Sequence, residues 1–166
     1  QPILIFDPIE KYQVNKFFKY NLIPSVSTKE HLNILLTEKS KLKSNKKISV
    51  HIKIDTGMNR LGVDYSKAIN FIQKISLNKN FVIDGIFTHF ASSDEVGSDY
   101  AKLQINRFDK IIAELKTENI DYGLAHAANS GAIIDFPDAY YDMVRPGISL
   151  YGYYPSLQTS ESIKLY

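Results

Sequence analysis

The 166-residue sequence predicts an α/β fold built on a parallel sheet with helices packed against it. Three observations carry this. Strand-like and helix-like segments alternate from one end to the other, the pattern of strands joined by crossover helices. The strand-like runs, such as ILIF at 3–6 and FVIDGIFT at 81–88, are short and mainly apolar, as strands covered on both faces require. Chemically capable residues follow the strands directly, where α/β sheets carry their sites. About six strands can be counted, whereas a complete (β/α)8 barrel has eight and typically about 250 residues. Either an open doubly wound sheet or a piece of a barrel satisfies that count.

The elements follow from local pattern. Residues 3–6 read as a strand buried on both faces and ended by Asp7-Pro8. Residues 8–20 set Ile9, Tyr12, Phe17 and Tyr20 near helical spacing. A weak strand at 22–26 is broken by Pro24, which has no N–H to give a ladder. Ser27 and Glu30 stand at capping-box spacing and open a helix whose apolar side is Leu32, Leu35, Leu36 and Leu42. The lysine-rich piece 39–47 reads as a helix end and solvated loop, not as a nucleic-acid surface.

The central strand, 50–54, opens the stretch HIKIDTGMNRLG at 51–62 from the residue before it. It turns through Asp55-Thr56-Gly57 and sets Arg60 just past its C-terminal end. Asp64 can cap a helix over 65–76 whose stripe is Ala68, Ile69, Ile72 and Ile75. The next strand delivers His89-Phe90, and loop 91–98 leads to a helix over 99–118 lined by Leu103, Phe108, Ile111, Ile112 and Leu115. A short strand at 124–125 ends in His126-Ala127-Ala128-Asn129-Ser130-Gly131. A brief helix at 132–136 stops at Pro137, residues 143–148 lead to 150–152, and the tail from Ser156 is polar and irregular. No repeat of 20–50 residues suggests a solenoid.

Bulk composition narrows the function classes. Hydrophobic content of 44 % and charged content of 23 % are those of an ordinary globular domain. A net charge of +2 gives no case for nucleic acid or an acidic membrane surface. No apolar stretch approaches the roughly 20 residues of a membrane span. The chain has no cysteine, which excludes disulfides, thiolate nucleophiles and zinc–thiolate sites and fits a cytoplasmic protein. It starts at Gln1, so a longer N-terminus is expected.

Four polar clusters follow four successive strands: Lys53 with Arg60, His89, His126 to Ser130, and Arg145 to Ile148. Each has a plainer reading. Lys53 reads equally as an edge lysine, His89 as a hydrogen-bonded packing residue, Asn129 or Ser130 as a helix cap, and Arg145-Pro146-Gly147 as a strand exit. A metal site from His89, Asp94 and Glu95 matches no ligand spacing. Small residues at Ala127, Ala128, Gly131 and Gly147 let backbone approach a ligand closely. Ser130 offers a hydroxyl, and Gly147 and Ile148 offer amides, while Pro146 has none. Amides at turns and helix starts make phosphate cradles, which barrels carry after their last strands. The expected ligand is therefore phosphorylated.

HIKIDTGMNRLG, then GIFTHFASSDE, then HAANSGAIIDFPDAYYDMVRPGISLYG occur in order and cover most of the chain. Together they closely resemble the alanine racemase family, two-domain enzymes that use pyridoxal 5'-phosphate (PLP). The resemblance implies a partial TIM (β/α)8 barrel running from about the third strand to the eighth. Residues 1–166 would be the barrel part, with 156–166 beginning a linker to a C-terminal β-domain. It implies that Ser130, Gly147 and Ile148 hold the PLP phosphate, that Asn129 is also cofactor-binding, and that Arg145 donates to the pyridine nitrogen. His89 is expected beside the ring, supporting Arg145, and Arg60 at the phenolic oxygen and the substrate carboxylate. Lys53 is a candidate for carbamylation.

The resemblance also implies a homodimer acting on alanine, without nucleic acid, membrane or metal, that supplies D-alanine for peptidoglycan. Two family features have no match here. The Schiff-base lysine belongs to a motif resembling VVKANAYG, which this sequence lacks, and none of its 11 tyrosines can be assigned as the catalytic tyrosine of the β-domain. The 166 residues alone are thus expected to be inactive. The alternatives are a broader-specificity amino-acid racemase, a non-catalytic PLP-carrier barrel, and a barrel for another phosphorylated metabolite.

Overall fold

The central strand β3 (Ile48–Asp55) shows how sequence becomes architecture. Its period of two puts Val50, Ile52 and Ile54 on one face and His51 and Lys53 on the other. The aliphatic three are fully buried in a core shared with residues of the surrounding helices. The polar two are buried as well, so both faces of the strand are covered.

The computed structural model describes residues 2–159. Strands β1 (Ile3–Ile5), β2 (Leu22–Val26), β3, β5 (Phe81–Phe87) and β6 (Leu124–His126) lie side by side in chain order, and every pairing is parallel. The two-residue β4 (Val63–Asp64) pairs off this path with β3. Helices α1 (Val14–Tyr20), α2 (Lys29–Lys41), α3 (Ala68–Ser76) and α4 (Asp99–Thr117) make the crossovers, and α5 (Ser130–Asp135) follows β6. A doubly wound sheet reverses its strand order at a switch point. This order never reverses, so crossovers of one hand stack all helices on one side and the sheet curls. It is a partial (β/α)8 barrel.

Several local expectations are corrected. β1 is not buried on both faces; Ile3 is 56 % exposed because β2 is the only described neighbour of this strand. The helix expected over 8–20 forms only from Val14, leaving Tyr12 and Tyr20 in solvent while Ile9 and Phe17 are buried. Pro24 does not break β2, since the ladder to β3 begins one residue later, at Ser25. The cap of α2 is Thr28, not Ser27: its hydroxyl accepts from the His31 amide (3.2 Å), and His31 Nδ1 accepts from the Ser27 amide (3.3 Å).

Leu42 and Leu103 are exposed, and Phe71, Ala101 and Gln104 take inward positions on their helices instead. Residues 143–148 form no strand but run beside β6 through one parallel bridge, His126 to Met143, and two amide bonds, Asp142 to Ala125 and Arg145 to Ala128. Pro146 cannot extend that ladder. The expected linker 156–166 is described only to 159, the rest lying outside the described residues. Over that part Ser156 Oγ donates to the Asp94 carbonyl (2.5 Å) and Thr159 is buried.

A register shift between Val50 and His51 sets Gly85 of β5 opposite His51. A Cβ on Gly85 would run into the His51 imidazole and the Leu124 carbonyl. Gly85→Ala should therefore lower the free energy of unfolding by about 1–3 kcal/mol, read as a reduced urea midpoint. An unchanged midpoint would mean that the ring has room to move.

Candidate functional site

The C-terminal ends of β3, β5 and β6, with the segment after Met143, surround an open cleft of about 650 Å³. All eight residues singled out from the sequence line it: Lys53, Arg60, His89, Asn129, Ser130, Arg145, Gly147 and Ile148. Phe6, Met58, Phe87 and Phe90 supply an apolar wall. An apolar cleft with a few convergent polar groups is the usual form of a small-molecule site.

Arg145 is the most firmly fixed of these. Its Nη2 donates to the carbonyls of Thr88 and Ala127, both at 2.7 Å, and its Nη1 stands 2.7 Å from His126 Nδ1. The guanidinium packs 5.6 Å from the Phe87 ring. A guanidinium has five N–H donors and no acceptor, so these contacts leave two donors uncommitted. The same asymmetry fixes the histidines. His126 Nδ1 must accept, so a neutral His126 carries its proton on Nε2 and donates to His51 Nδ1, 2.9 Å away. Burial first, then Arg145 and His51, pushes the His126 pKa down to about 2. His51 is lowered by burial against an opposing pull from Asp84. Burial also lowers Arg145, to about 10, which leaves it charged at neutral pH.

His126 gives Arg145 a hydrogen-bonded support that the sequence did not point to. Burial, followed by the positive charges of Arg145, Lys53 and Arg60, lowers the His89 pKa to about 4. Lys53 is buried, with Nζ 5.6 Å from the Phe87 ring. Its pKa is lowered by burial and then by Arg60 and Arg145, against weaker pulls from Asp55 and Asp7. Among the described residues the only ion pairs are two surface pairs, Lys41–Glu38 and Lys102–Asp99. Three cationic side chains therefore share the cleft without a carboxylate bound to any of them, an environment made for an anion. Among the described residues no three His, Asp or Glu side chains gather as a metal site.

The turn that carries Arg60 is held from beneath. Asp55 Oδ1 accepts from the amides of Gly57 (2.9 Å) and Asn59 (3.1 Å), and Gly57 takes a φ of +143° that other residues rarely adopt. Thr56 Oγ1 meets Thr88 Oγ1 at 2.7 Å, joining the exits of β3 and β5. From α4, Tyr100 OH donates to the Gly57 carbonyl and Arg107 Nη1 to the Thr56 carbonyl, each at 2.7 Å.

The other side of the cleft is a cradle. Asn129 caps α5 by accepting from the Ala132 amide (3.1 Å), and its Oδ1 also accepts from Ser93 Oγ (2.6 Å). Ser130 Oγ accepts from the amide and hydroxyl of Ser149 at 3.2 and 3.1 Å. A Cβ on Gly147 would stand 3.4 Å from Ser130 Oγ, so the absence of a side chain keeps this corner open. Among the described residues no hydrogen bond takes up the amides of Gly147 and Ile148. One hydroxyl and two free amides beside unpaired cations suit a phosphate group.

Sequence reasoning missed His51, Thr88 and Gln104. For His51 a signal existed: it stands two residues before Lys53 on a strand, hence on the same face. Thr88 and Gln104 carried none, because nothing local says that they meet.

Residues 1–155 match the family described as "Alanine racemase, N-terminal domain". An alanine racemase of Carboxydothermus hydrogenoformans is 42 % identical over 156 residues, covering 93 % of this chain and 41 % of that protein. One from Halothermothrix orenii is 40 % identical over 164 residues, covering 99 % and 43 %. The alanine racemase of Clostridium difficile 630 solved in complex with cycloserine superposes with a TM-score of 0.91 at 31 % identity, over 99 % of this chain and 45 % of that one. The chain thus spans about two fifths of the length of the curated relatives it matches.

The histidines give a pH prediction. In the fold His51, His89 and His126 all lie below the ordinary value of 6.5. As pH falls through 6.5 the unfolded chain takes up protons that the folded chain refuses. Stability is complete above 6.5 and declines below it, by up to about 1.4 kcal/mol per pH unit for each fully buried histidine. Urea midpoints should fall between pH 7 and pH 5, ahead of most carboxylate protonation. Equal midpoints would count against the neutral His51–His126 pair.

Proposed function

Because the chain belongs to the alanine racemase N-terminal domain family, we propose that it is the PLP-holding part of an enzyme interconverting L- and D-alanine. The observation that carries this reading is Arg145. Two carbonyls and a neutral histidine hold its guanidinium, and its uncommitted donors belong to an apolar-walled cleft beside an anion cradle.

PLP, when bound, supplies an electron sink for negative charge formed at the amino-acid Cα. Ser130 Oγ and the amides of Gly147 and Ile148 hold its phosphate, with Asn129 fixing the start of α5 beside them. Arg145 donates to the pyridine nitrogen. A guanidinium gives up no proton at neutral pH, so Arg145 would leave that nitrogen without one, which would suit reversible proton transfer at Cα and discourage side reactions. His89, uncharged at neutral pH, packs beside the ring without competing for anions. Arg60 receives the phenolic oxygen and the substrate carboxylate. Burial and then Arg60 and Arg145 lower the Lys53 pKa, which raises the share of its amine free to take up carbon dioxide with release of a proton. The carbamate formed would be an anion able to hold Arg60.

The groups that move the proton, a Schiff-base lysine and a tyrosine, are assigned to segments outside these 166 residues, since no motif like VVKANAYG occurs here. Residues 156–166 then begin the passage to a β-domain, and the working unit is a homodimer in the cytoplasm, supplying D-alanine for peptidoglycan.

Each positioned acid or base contributes typically 10²–10⁴-fold, and nucleophilic activation through the lysine is lost with it. The 166 residues alone should therefore racemise L-alanine no faster than free PLP. The product of the whole open reading frame encoding them should racemise it, and Ser130→Ala there should weaken PLP affinity by about tenfold, the worth of one charge-assisted hydrogen bond. Chiral chromatography of alanine and a PLP titration read both. Turnover by the 166 residues alone would overturn the assignment of the bases. A folded but silent full product would indicate a non-catalytic carrier, and turnover of other amino acids a broader racemase.

A further inference from the structure

Helix α4 carries one polar side chain in its buried stripe. Gln104 is 0 % exposed, between Ala101 and the Phe108–Leu115 core. Burying an amide is unfavourable unless every group finds a partner, and here the side chain is fully engaged. Its Nε2 donates to Thr56 Oγ1 and to the His89 carbonyl, both at 3.1 Å, and its Oε1 accepts from the Ala91 amide at 2.9 Å. A methionine would fill the same space without polar groups.

The partners lie on two different strand exits. Thr56 belongs to the turn that carries Arg60, and His89 and Ala91 follow β5. Thr56 is also paired with Thr88 Oγ1, and the Thr88 carbonyl accepts from Arg145 Nη2. Arg60 itself makes no hydrogen bond or ion pair with any described residue, so the position of its guanidinium depends on the backbone of its turn. Tyr100 and Arg107 fasten that turn to α4, but Gln104 alone of the α4 side chains bonds to both exits.

We propose that Gln104 is a positioning residue that couples the exits of β3 and β5, so that Arg60, His89 and, through Thr56 and Thr88, Arg145 keep one mutual geometry. The kinetic consequence rests on the racemase reading above: Gln104 governs substrate-carboxylate binding by Arg60, while the phosphate cradle at Ser130, Gly147 and Ile148, which it does not touch, is independent of it.

The test compares Gln104→Met and Gln104→Glu with the unsubstituted product of the whole open reading frame. Gln104→Met removes both donors and the acceptor. Gln104→Glu keeps the acceptor for the Ala91 amide and removes both donors. Hydrogen exchange at 57–60 and at Ala91 should quicken by about tenfold in Gln104→Met, as expected for losing about 1.4 kcal/mol of hydrogen bonding. Exchange over 108–115 should not change. In Gln104→Glu only 57–60 should quicken, because Ala91 keeps its acceptor. The KM for alanine should rise by about tenfold in both, while the dissociation constant of inorganic phosphate at the cradle moves by less than about twofold.

Unchanged exchange at both exits, or a uniform rise across α4 and β5, would overturn the coupling and leave Gln104 a core filler. So would failure of both variants to fold; if only Gln104→Met fails, the split pattern in Gln104→Glu decides. If the unsubstituted protein does not racemise alanine, the racemase reading fails by itself, and the exchange pattern still judges the coupling.

Discussion

The pairing of β3 with β5 is the contact on which the rest depends. It runs over six registered pairs from Ile48–Phe81 to Lys53–Phe87. β3 runs two residues past its last pair with β5, and Thr56 and Thr88, each the first residue after its strand, meet beyond the exits. The register shift at His51 puts Gly85 beneath the imidazole, and only a residue without Cβ leaves the ring that space. From there the chain of contacts runs His51, His126, Arg145, and back to the Thr88 carbonyl. A slip of one residue would turn every side chain of β3 over. It would bury Val50, Ile52 and Ile54 in the cleft and send His51 and Lys53 among the helices.

Electrostatics follow from this closure. A donor-only guanidinium, buried against carbonyls and an imidazole, forces its histidine neighbours to be neutral. The cation survives because oriented dipoles solvate it in place of water. Among the described residues no carboxylate pairs with Arg145, and none pairs with Lys53 or Arg60. An anion entering the cleft would meet three cations that no described carboxylate pairs.

Much of this was legible in the sequence because it is written in short-range pattern. Alternation of elements and apolar parallel strands gave the class. The stretch HIKIDTGMNRLG gave a strand, a turn and a placed arginine, and the three ordered motifs identified the family. Errors fell where an element's end or exposure depends on what lies beside it: the exposed first strand, the late start of α1, the shift of the α2 cap from Ser27 to Thr28, and Leu103 facing solvent while Gln104 faces inward.

The sequence by itself determined which residues stand at strand ends, since a strand's polarity and period are local properties of its own chain. Only the tertiary structure decided which of those ends meet. Strand order chose the barrel over the doubly wound sheet, for reversal or its absence is a relation between strands that no single strand encodes. The packed structure also set His126 against Arg145, and made Gln104 a bridge between exits. Those outcomes rest on distances of about 3 Å between residues 13 to 48 positions apart, such as Ala91 with Gln104 and Gln104 with Thr56. Hydrogen bonds are short and directional, so only the packed sheet and its helix can bring such donors and acceptors into register.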